Sequence, residues 1–340
     1  MAQNILLTGI SGFLGSHIAL QLLKEGYKVR GSIRTPDKGK KLRQTMINHG
    51  ADITNLEFVT LNLVSDDGWN EAMDTIDVLI HTASPFVTSM PKNKMELIIP
   101  AVEGTRRALE AALAANIKKI VLTSSSVAVM HGHERSRTTP FTEEDWTDPN
   151  SPNINAYIES KTLAEKKAWE IMEKYGRTND LAVINPTLIL GPLLDDDPGT
   201  SCALILRLLS GSVPATPRLH LPMVDVRDVA AMHLKAMQSI ECAGKRFITS
   251  SEGMWIMQVS NVIKSRFPQF ARKLPKFQMP DWGMKIYSLF DGDVRGSLSQ
   301  LGISHDLDNS RARKVLERDF IKADEAINAT VSSIIEQKLI

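Results

Sequence analysis

Asn4-Ile5-Leu6-Leu7-Thr8-Gly9-Ile10-Ser11-Gly12-Phe13-Leu14-Gly15 is the stretch that decides the fold. A short apolar run, Asn4–Thr8, leads into a turn with glycines at its first, fourth and seventh places, and helical spacing follows over Phe13–Glu25. Glycine admits positive φ and lets a diphosphate approach the backbone with no Cβ in the way. Gly15 lets the helix pack closely on the strand. The helix start then offers unpaired N–H groups and a favourable dipole to phosphate. Gly9, Ser11, Gly12, Phe13 and Leu14 are therefore candidate nucleotide contacts; a glycine-rich turn without a ligand is the competing reading.

Outward from this stretch the same rhythm repeats. Tyr27–Ile33, Leu56–Leu61, Asp77–His81, Lys119–Thr123 and Leu181–Asn185 read as strands, and Ala101–Ala115 and Asn155–Tyr175 as helices. Strands alternating with helices predict an α/β fold of Rossmann type, a doubly wound parallel sheet covered on both faces. After Pro186 the rhythm breaks, with Pro192, Pro198, Pro214, Pro217 and Pro222 punctuating short segments. A helix-like run over Val226–Ile240, a strand-like Lys245–Thr249 and a helical tail over Arg311–Leu339 follow. The expected division is a dinucleotide-binding domain over 1–186 plus about 223–250, and a smaller C-terminal α/β substrate lobe over 187–222 and about 251–340.

The 340 residues suffice for one large core and a smaller one. A net charge of +1 gives no electrostatic footprint for nucleic acid or an anionic membrane, so a small molecule is the expected partner. Cys202 and Cys242, the two cysteines, supply neither a disulfide framework nor a four-ligand zinc site, which favours a reducing compartment. Met1 runs into the first strand without a basic stretch followed by a long apolar one. The expectation is a cytoplasmic protein, a monomer or a homodimer.

The end of the second strand selects the nucleotide. A carboxylate there grips the adenosine ribose of NAD. This chain has Gly31-Ser32-Ile33-Arg34-Thr35-Pro36-Asp37-Lys38. Arg34 can take a 2′-phosphate with its planar fork and Lys38 adds a second cation, so NADPH (or NADP+) is the expected cofactor. Asp37 keeps NAD as the alternative. Asn62, with Leu63 beside it, falls where a polar residue would meet adenine.

Tyr157-Ile158-Glu159-Ser160-Lys161 carries the chemistry. Four residues apart on a helix, Tyr157 and Lys161 share a face. An ammonium close to the phenol favours phenolate and brings a group of pKa ~10 towards acid–base work. Ser124-Ser125-Ser126 ends the strand Lys119–Thr123, on the sheet edge where open α/β folds bind ligands. A serine there can polarise a carbonyl.

Together these residues resemble the extended short-chain dehydrogenase/reductase superfamily, in the branch of plant dihydroflavonol 4-reductases, cinnamoyl-CoA reductases and the yeast methylglyoxal/isovaleraldehyde reductase. The markers are the opening glycines, Gly31–Arg34, His81-Thr82-Ala83-Ser84-Pro85-Phe86, Leu122–Ser125, Tyr157–Trp169, Asn185-Pro186-Thr187, Gly191-Pro192 and Val224–Ala230. The resemblance implies NADPH-dependent reduction of an aldehyde or ketone, with Ser125, Tyr157 and Lys161 catalytic and Tyr157 the proton donor. It also implies that Lys161 holds the cofactor ribose, that Ala83 and Ser84 line the cofactor path, and that Pro186 and Thr187 sit beside the nicotinamide. Phe86, Ser126, Ile154 and Leu188 would line the substrate pocket. Asn62 departs from the aspartate of many relatives. Ser126 and Leu188 stand where the yeast enzyme has aromatics, which leaves the substrate open. An NAD-retaining nucleotide-sugar epimerase or dehydratase is the alternative function, and a redox-sensing dinucleotide binder a more distant one.

Other polar groupings are expected to be structural. His131-Gly132-His133 lacks a third ligand at metal spacing, so no metal is expected. Asp195-Asp196-Asp197 reads as a solvated loop. Met254, Trp255 and Met257 read as packing in the small lobe in preference to edging the substrate pocket, and His233 as a core or interface residue.

Overall fold

In the computed structural model, which describes residues 3–85, 91, 93–134, 136–199, 202–289 and 298–340, β1 (Asn4–Thr8) lies inside a parallel sheet. Ile5 and Leu7 enter the core on one face and Leu6 the core on the other. A strand buried on both faces needs an apolar residue at every position, which is why these segments read as continuous runs.

The further strands are β2 (Lys28–Ile33), β3 (Leu56–Thr60), β4 (Val78–His81), β5 (Lys119–Thr123), β6 (Leu181–Pro186), β7 (Leu188–Leu190), β8 (His220–Asp225), β9 (Lys245–Thr249) and β10 (Gly253–Trp255). Seven of them form one sheet in the order β3-β2-β1-β4-β5-β6-β9, all parallel. The helices are α1 (Phe13–Lys24), α2 (Pro36–Asn48), α3 (Trp69–Ala72), α4 (Met95–Ala114), α5 (Ala156–Lys174), α6 (Ala203–Ser210), α7 (Val226–Gln238), α8 (Ile256–Arg266), α9 (Asp281–Tyr287), α10 (Ser310–Leu316) and α11 (Ala323–Glu336). Ile18, Leu22, Met46, Val229 and Leu316 bring α1, α2, α7 and α10 onto one face. Trp69, Leu109, Ala112, Ala168 and Ile171 bring α3, α4 and α5 onto the other. The sheet is the doubly wound one expected.

The small lobe is built on a second sheet, β10-β8-β7, with α6, α8 and α11 packed around it through Ile205, Leu208, Val259, Ile263, Ile327 and Val331. β8, which includes residues 223–225, pairs with β10 and β7 in this sheet. The helical tail divides: Glu317, at φ +57, ends α10, which packs on α7 and β9 in the large domain, while α11 joins the lobe. Among the described residues no helix is long and apolar enough to cross a membrane.

Candidate active site

The strand order sets the site. The residues singled out from sequence fall along one edge of the sheet, at the C-terminal ends of consecutive neighbours. From one side to the other these are Asn62 and Leu63 after β3, Arg34 after β2, the glycine turn after β1, Ala83 and Ser84 after β4, Ser125 after β5, and Pro186–Thr187 at the end of β6. That track matches the crevice where open α/β sheets take a dinucleotide.

Gly9 takes φ +69, and a Cβ there would stand 2.9 Å from the Ala83 nitrogen. A Cβ on Gly15 would stand 2.2 Å from the Gly9 carbonyl oxygen. Both positions thus exclude a side chain. Gly12 is exposed and caps α1 without a side chain, so the first N–H groups of the helix are left for a ligand. Ser32 Oγ accepts from Gly9 N at 3.1 Å, and Ala83 N donates to Thr8 Oγ1 at 3.2 Å, tying the turn to its neighbours. Ser11, Phe13, Leu14, Ala83 and Ser84 are half-buried around it.

Arg34 is exposed and has no ion-pair partner among the described residues. Asp37, the residue that would favour NAD, is turned to Lys40 at 3.3 Å on the outer face of α2. Lys38, in the first turn of α2, pairs with Asp197 at 3.0 Å. The aspartates expected as a solvated loop are therefore engaged: Lys41 pairs with Asp196 and lies 3.7 Å from Asp195. Asn62 is exposed, and its Oδ1 accepts from Val64 N at 3.1 Å, which leaves its amide N–H groups to donate.

Asn155 accepts from Ile158 N through Oδ1 at 3.0 Å and starts α5, which fixes the rotation of Tyr157 and Lys161 about the helix. Both side chains are half-buried. The Lys161 ammonium is 6.0 Å from the Tyr157 ring centroid. Ser125, in extended backbone at φ −163, caps the short turn Ser126–Ala128, and its side chain is hydrogen-bonded to Tyr157. The three residues read from sequence thus meet at one place. Their electrostatics differ from expectation. Burial pushes the Tyr157 phenol above its usual range and the Ser125 bond pulls it back only in part, so the protein alone does not favour phenolate. Burial also lowers the Lys161 ammonium to about 8. His81, beneath them, is held to about 3 by burial and by the Lys161 charge.

Behind the serine lies a buried network that motif reading did not single out. Glu165, one turn beyond Lys161 on α5, accepts from Ser124 Oγ at 2.5 Å, Asn185 Nδ2 at 2.7 Å and Arg246 Nε at 2.6 Å. Asn185 Nδ2 also donates to the Ser125 carbonyl at 3.2 Å. Arg246 donates to the carbonyls of Glu143 and Asp145, each at 2.7 Å, and stacks 3.8 Å from the Trp146 ring centroid. Glu165 and Asn185 both lie in quoted motifs, but nothing in their spacing showed that they converge on Ser125.

The proposed substrate contacts are distributed unevenly. Ile154 and Leu188 are half-buried, whereas Ser126 is only 1% exposed and lies beneath the surface. Phe86 lies outside the described residues. Pro186 is buried, and Thr187 donates through its N–H to the Thr249 carbonyl at 3.1 Å. His131 packs against His305 with ring centroids 5.2 Å apart, and no group of three or more metal-ligating side chains occurs among the described residues. His233 is buried and bonded to Thr123 Oγ1 at 2.7 Å. Met254 packs on the lobe core and Trp255 on His220.

Comparison with known proteins bears on this arrangement. Residues 5–247 match the NAD dependent epimerase/dehydratase family. The chain belongs to that family. It is accordingly an NAD(P)-dependent oxidoreductase of the extended short-chain dehydrogenase/reductase type. It is 30% identical to the NADPH-dependent methylglyoxal reductase GRE2 of Saccharomyces cerevisiae over 98% of both chains. It is 34% identical to cinnamoyl-CoA reductase 1 of Petunia hybrida, over 79% of this chain and 78% of that one. Among solved structures, yeast methylglyoxal/isovaleraldehyde reductase Gre2 complexed with NADPH aligns with a TM-score of 0.82 at 28% identity, over 99% of each chain.

Proposed function

We propose that the protein reduces an aldehyde or ketone to an alcohol at the expense of NADPH, with Ser125, Tyr157 and Lys161 performing the proton chemistry. The observation that carries this reading is the hydrogen bond between Ser125 and Tyr157, with Lys161 on the same helix face, at the cofactor edge of the sheet. The relatives that are NADPH-dependent reductases support it, as do Arg34, which has no ion-pair partner among the described residues, and the averted Asp37.

Gly9, Ser11, Gly12, Phe13 and Leu14 would hold the diphosphate, Arg34 and Lys38 the 2′-phosphate, and Asn62 and Leu63 the adenine. Ala83, Ser84, Pro186 and Thr187 would position the nicotinamide end, with Lys161 on the ribose. Bound there, NADPH would supply the hydride for the reduction. Ser125 orients the carbonyl oxygen. A phenol raised by burial stays protonated at neutral pH, so Tyr157 holds a proton ready for the more basic alkoxide. Lys161, cationic below about 8, stabilises the phenolate left behind. Ile154 and Leu188 would line the substrate side, with Ser126 beneath it.

Replacing Tyr157 by Phe removes the proton and little else. We expect kcat to fall about a hundredfold or more, with the NADPH dissociation constant within about twofold of wild type. Near-wild-type turnover in that variant would overturn the mechanism. Protein that purifies with stoichiometric NAD and ignores carbonyl compounds would favour the sugar-nucleotide alternative.

A further inference from the structure

The loop from Pro192 to Gly199 leaves the small lobe and lies along α1 and α2. His17 and His49 meet the carbonyls of Pro192 and Leu194, each at 2.9 Å, and a Cβ on Gly199 would stand 3.3 Å from the Phe13 Cβ. The loop thus reaches from the start of α1, beside the glycine turn, to the first turn of α2. Asp197 sits at that crossing with both oxygens engaged: Oδ1 accepts from Gly199 N at 3.1 Å and Oδ2 holds Lys38 Nζ at 3.0 Å. Asp195 anchors the same loop further along α2, accepting from Thr45 Oγ1 at 3.3 Å. Arg34, four residues before Lys38, has no such partner among the described residues.

We propose that Asp197 is a specificity-determining residue for the cofactor: its carboxylate competes with the 2′-phosphate for the Lys38 ammonium and so sets how far NADPH is preferred over NADH. This rests on the reading that Arg34 and Lys38 take the 2′-phosphate. A phosphate arriving at Lys38 meets an ammonium already neutralised, and a carboxylate that repels it. NADH carries only a neutral hydroxyl at that place, so the pair has little charge to act on and its binding stays nearly unchanged. Lys38 and Asp197 have side chains 49% and 42% exposed, so the contest takes place in screened surroundings and its effect is moderate. Their exposure also means that neutralising either one leaves the cores untouched.

The test is to titrate NADPH and NADH separately into wild type, Asp197→Asn, Lys38→Gln and the double variant, following quenching of tryptophan fluorescence at low ionic strength. Asp197→Asn should tighten NADPH about three- to tenfold and leave NADH within about twofold. On the Lys38→Gln background the gain should vanish, since the contested cation is gone. Unchanged or weaker NADPH binding in Asp197→Asn, or an equal shift for both nucleotides, overturns the proposal. A wild type with no NADPH preference defeats the cofactor reading and this inference with it. A wild type that prefers NADPH beside an inert Asp197→Asn defeats this inference alone.

Discussion

Asn185 uses one amide nitrogen for two acceptors, the Ser125 carbonyl at 3.2 Å and the Glu165 carboxylate at 2.7 Å, and so ties the serine to the helix that carries Tyr157 and Lys161. In the proposed mechanism the serine hydroxyl meets both the carbonyl and the phenol, and small misplacement of an orienting group is costly in rate. Asn185→Ala removes both bonds and leaves a buried carboxylate short of a donor, at a cost of about 1–3 kcal/mol in stability. We expect kcat to fall about tenfold or more in the folded variant, with NADPH affinity within twofold of wild type. A folded Asn185→Ala with unaltered kcat would show that the network supports the fold without positioning the serine. That Ser125, Tyr157 and Lys161 come together was legible in the sequence, because helical spacing puts the tyrosine and lysine on one face and the serine stands at a strand end of the same sheet edge. Glu165 and Arg246 were not, because a carboxylate and a guanidinium 81 positions apart in the chain meet only through the packing of α5 on the sheet.

At the scale of elements, the glycine turn combines two opposed tendencies. At an open helical position Gly→Ala stabilises by roughly 1 kcal/mol. Gly15 is in a helix, but an added Cβ would meet the Gly9 carbonyl oxygen at 2.2 Å, a backbone atom that cannot rotate away. Overpacking of this kind costs about 2–3 kcal/mol, so the clash wins. Gly15→Ala should therefore lower the Tm and weaken NADPH binding; a rise in Tm would contradict the close strand–helix approach. Strand β1 matches its expected span, and β2, β3, β4 and β6 differ from theirs by one residue at an end; β1, β4 and β6 are buried along nearly their whole length, and such continuous apolar runs are plain in sequence. The helix expected from Ala101 instead begins at Met95 and passes through Pro100 near its start, where the missing N–H removes a single ladder bond. The lobe strands β7 and β10 span only Leu188–Leu190 and Gly253–Trp255, too short for periodicity to register, and β8 has Pro222 within it.

At the scale of the whole molecule, burial of histidine sets the response to acid. His17, His81, His131, His233 and His305 are held neutral by burial, with pKa values lowered to about 4, 3, 3, 4 and 4. In the unfolded chain each titrates near its ordinary value of about 6.5. Between those limits the unfolded state binds more protons, so the stability from neutral burial is present above about pH 6.5 and is lost as the pH falls towards 4. Each such group contributes up to about 1.4 kcal/mol per pH unit in that window. Glu143 and Asp228, pushed up by burial, act in the opposite sense but are fewer. The Tm should drop steeply between pH 7 and 5; a flat profile would contradict the burial of these rings. The proposed reaction transfers reducing equivalents from NADPH to a carbonyl at the edge shared by Arg34, Ser125, Tyr157 and Lys161. Its most direct test is nucleotide consumption with NADPH and with NADH against aldehydes, diketones, keto esters and a dihydroflavonol. NADPH should be oxidised in preference to NADH with at least one of these carbonyl compounds. Equal use of both nucleotides would contradict the role given to Arg34, and no consumption of either across the panel would contradict the reductase itself.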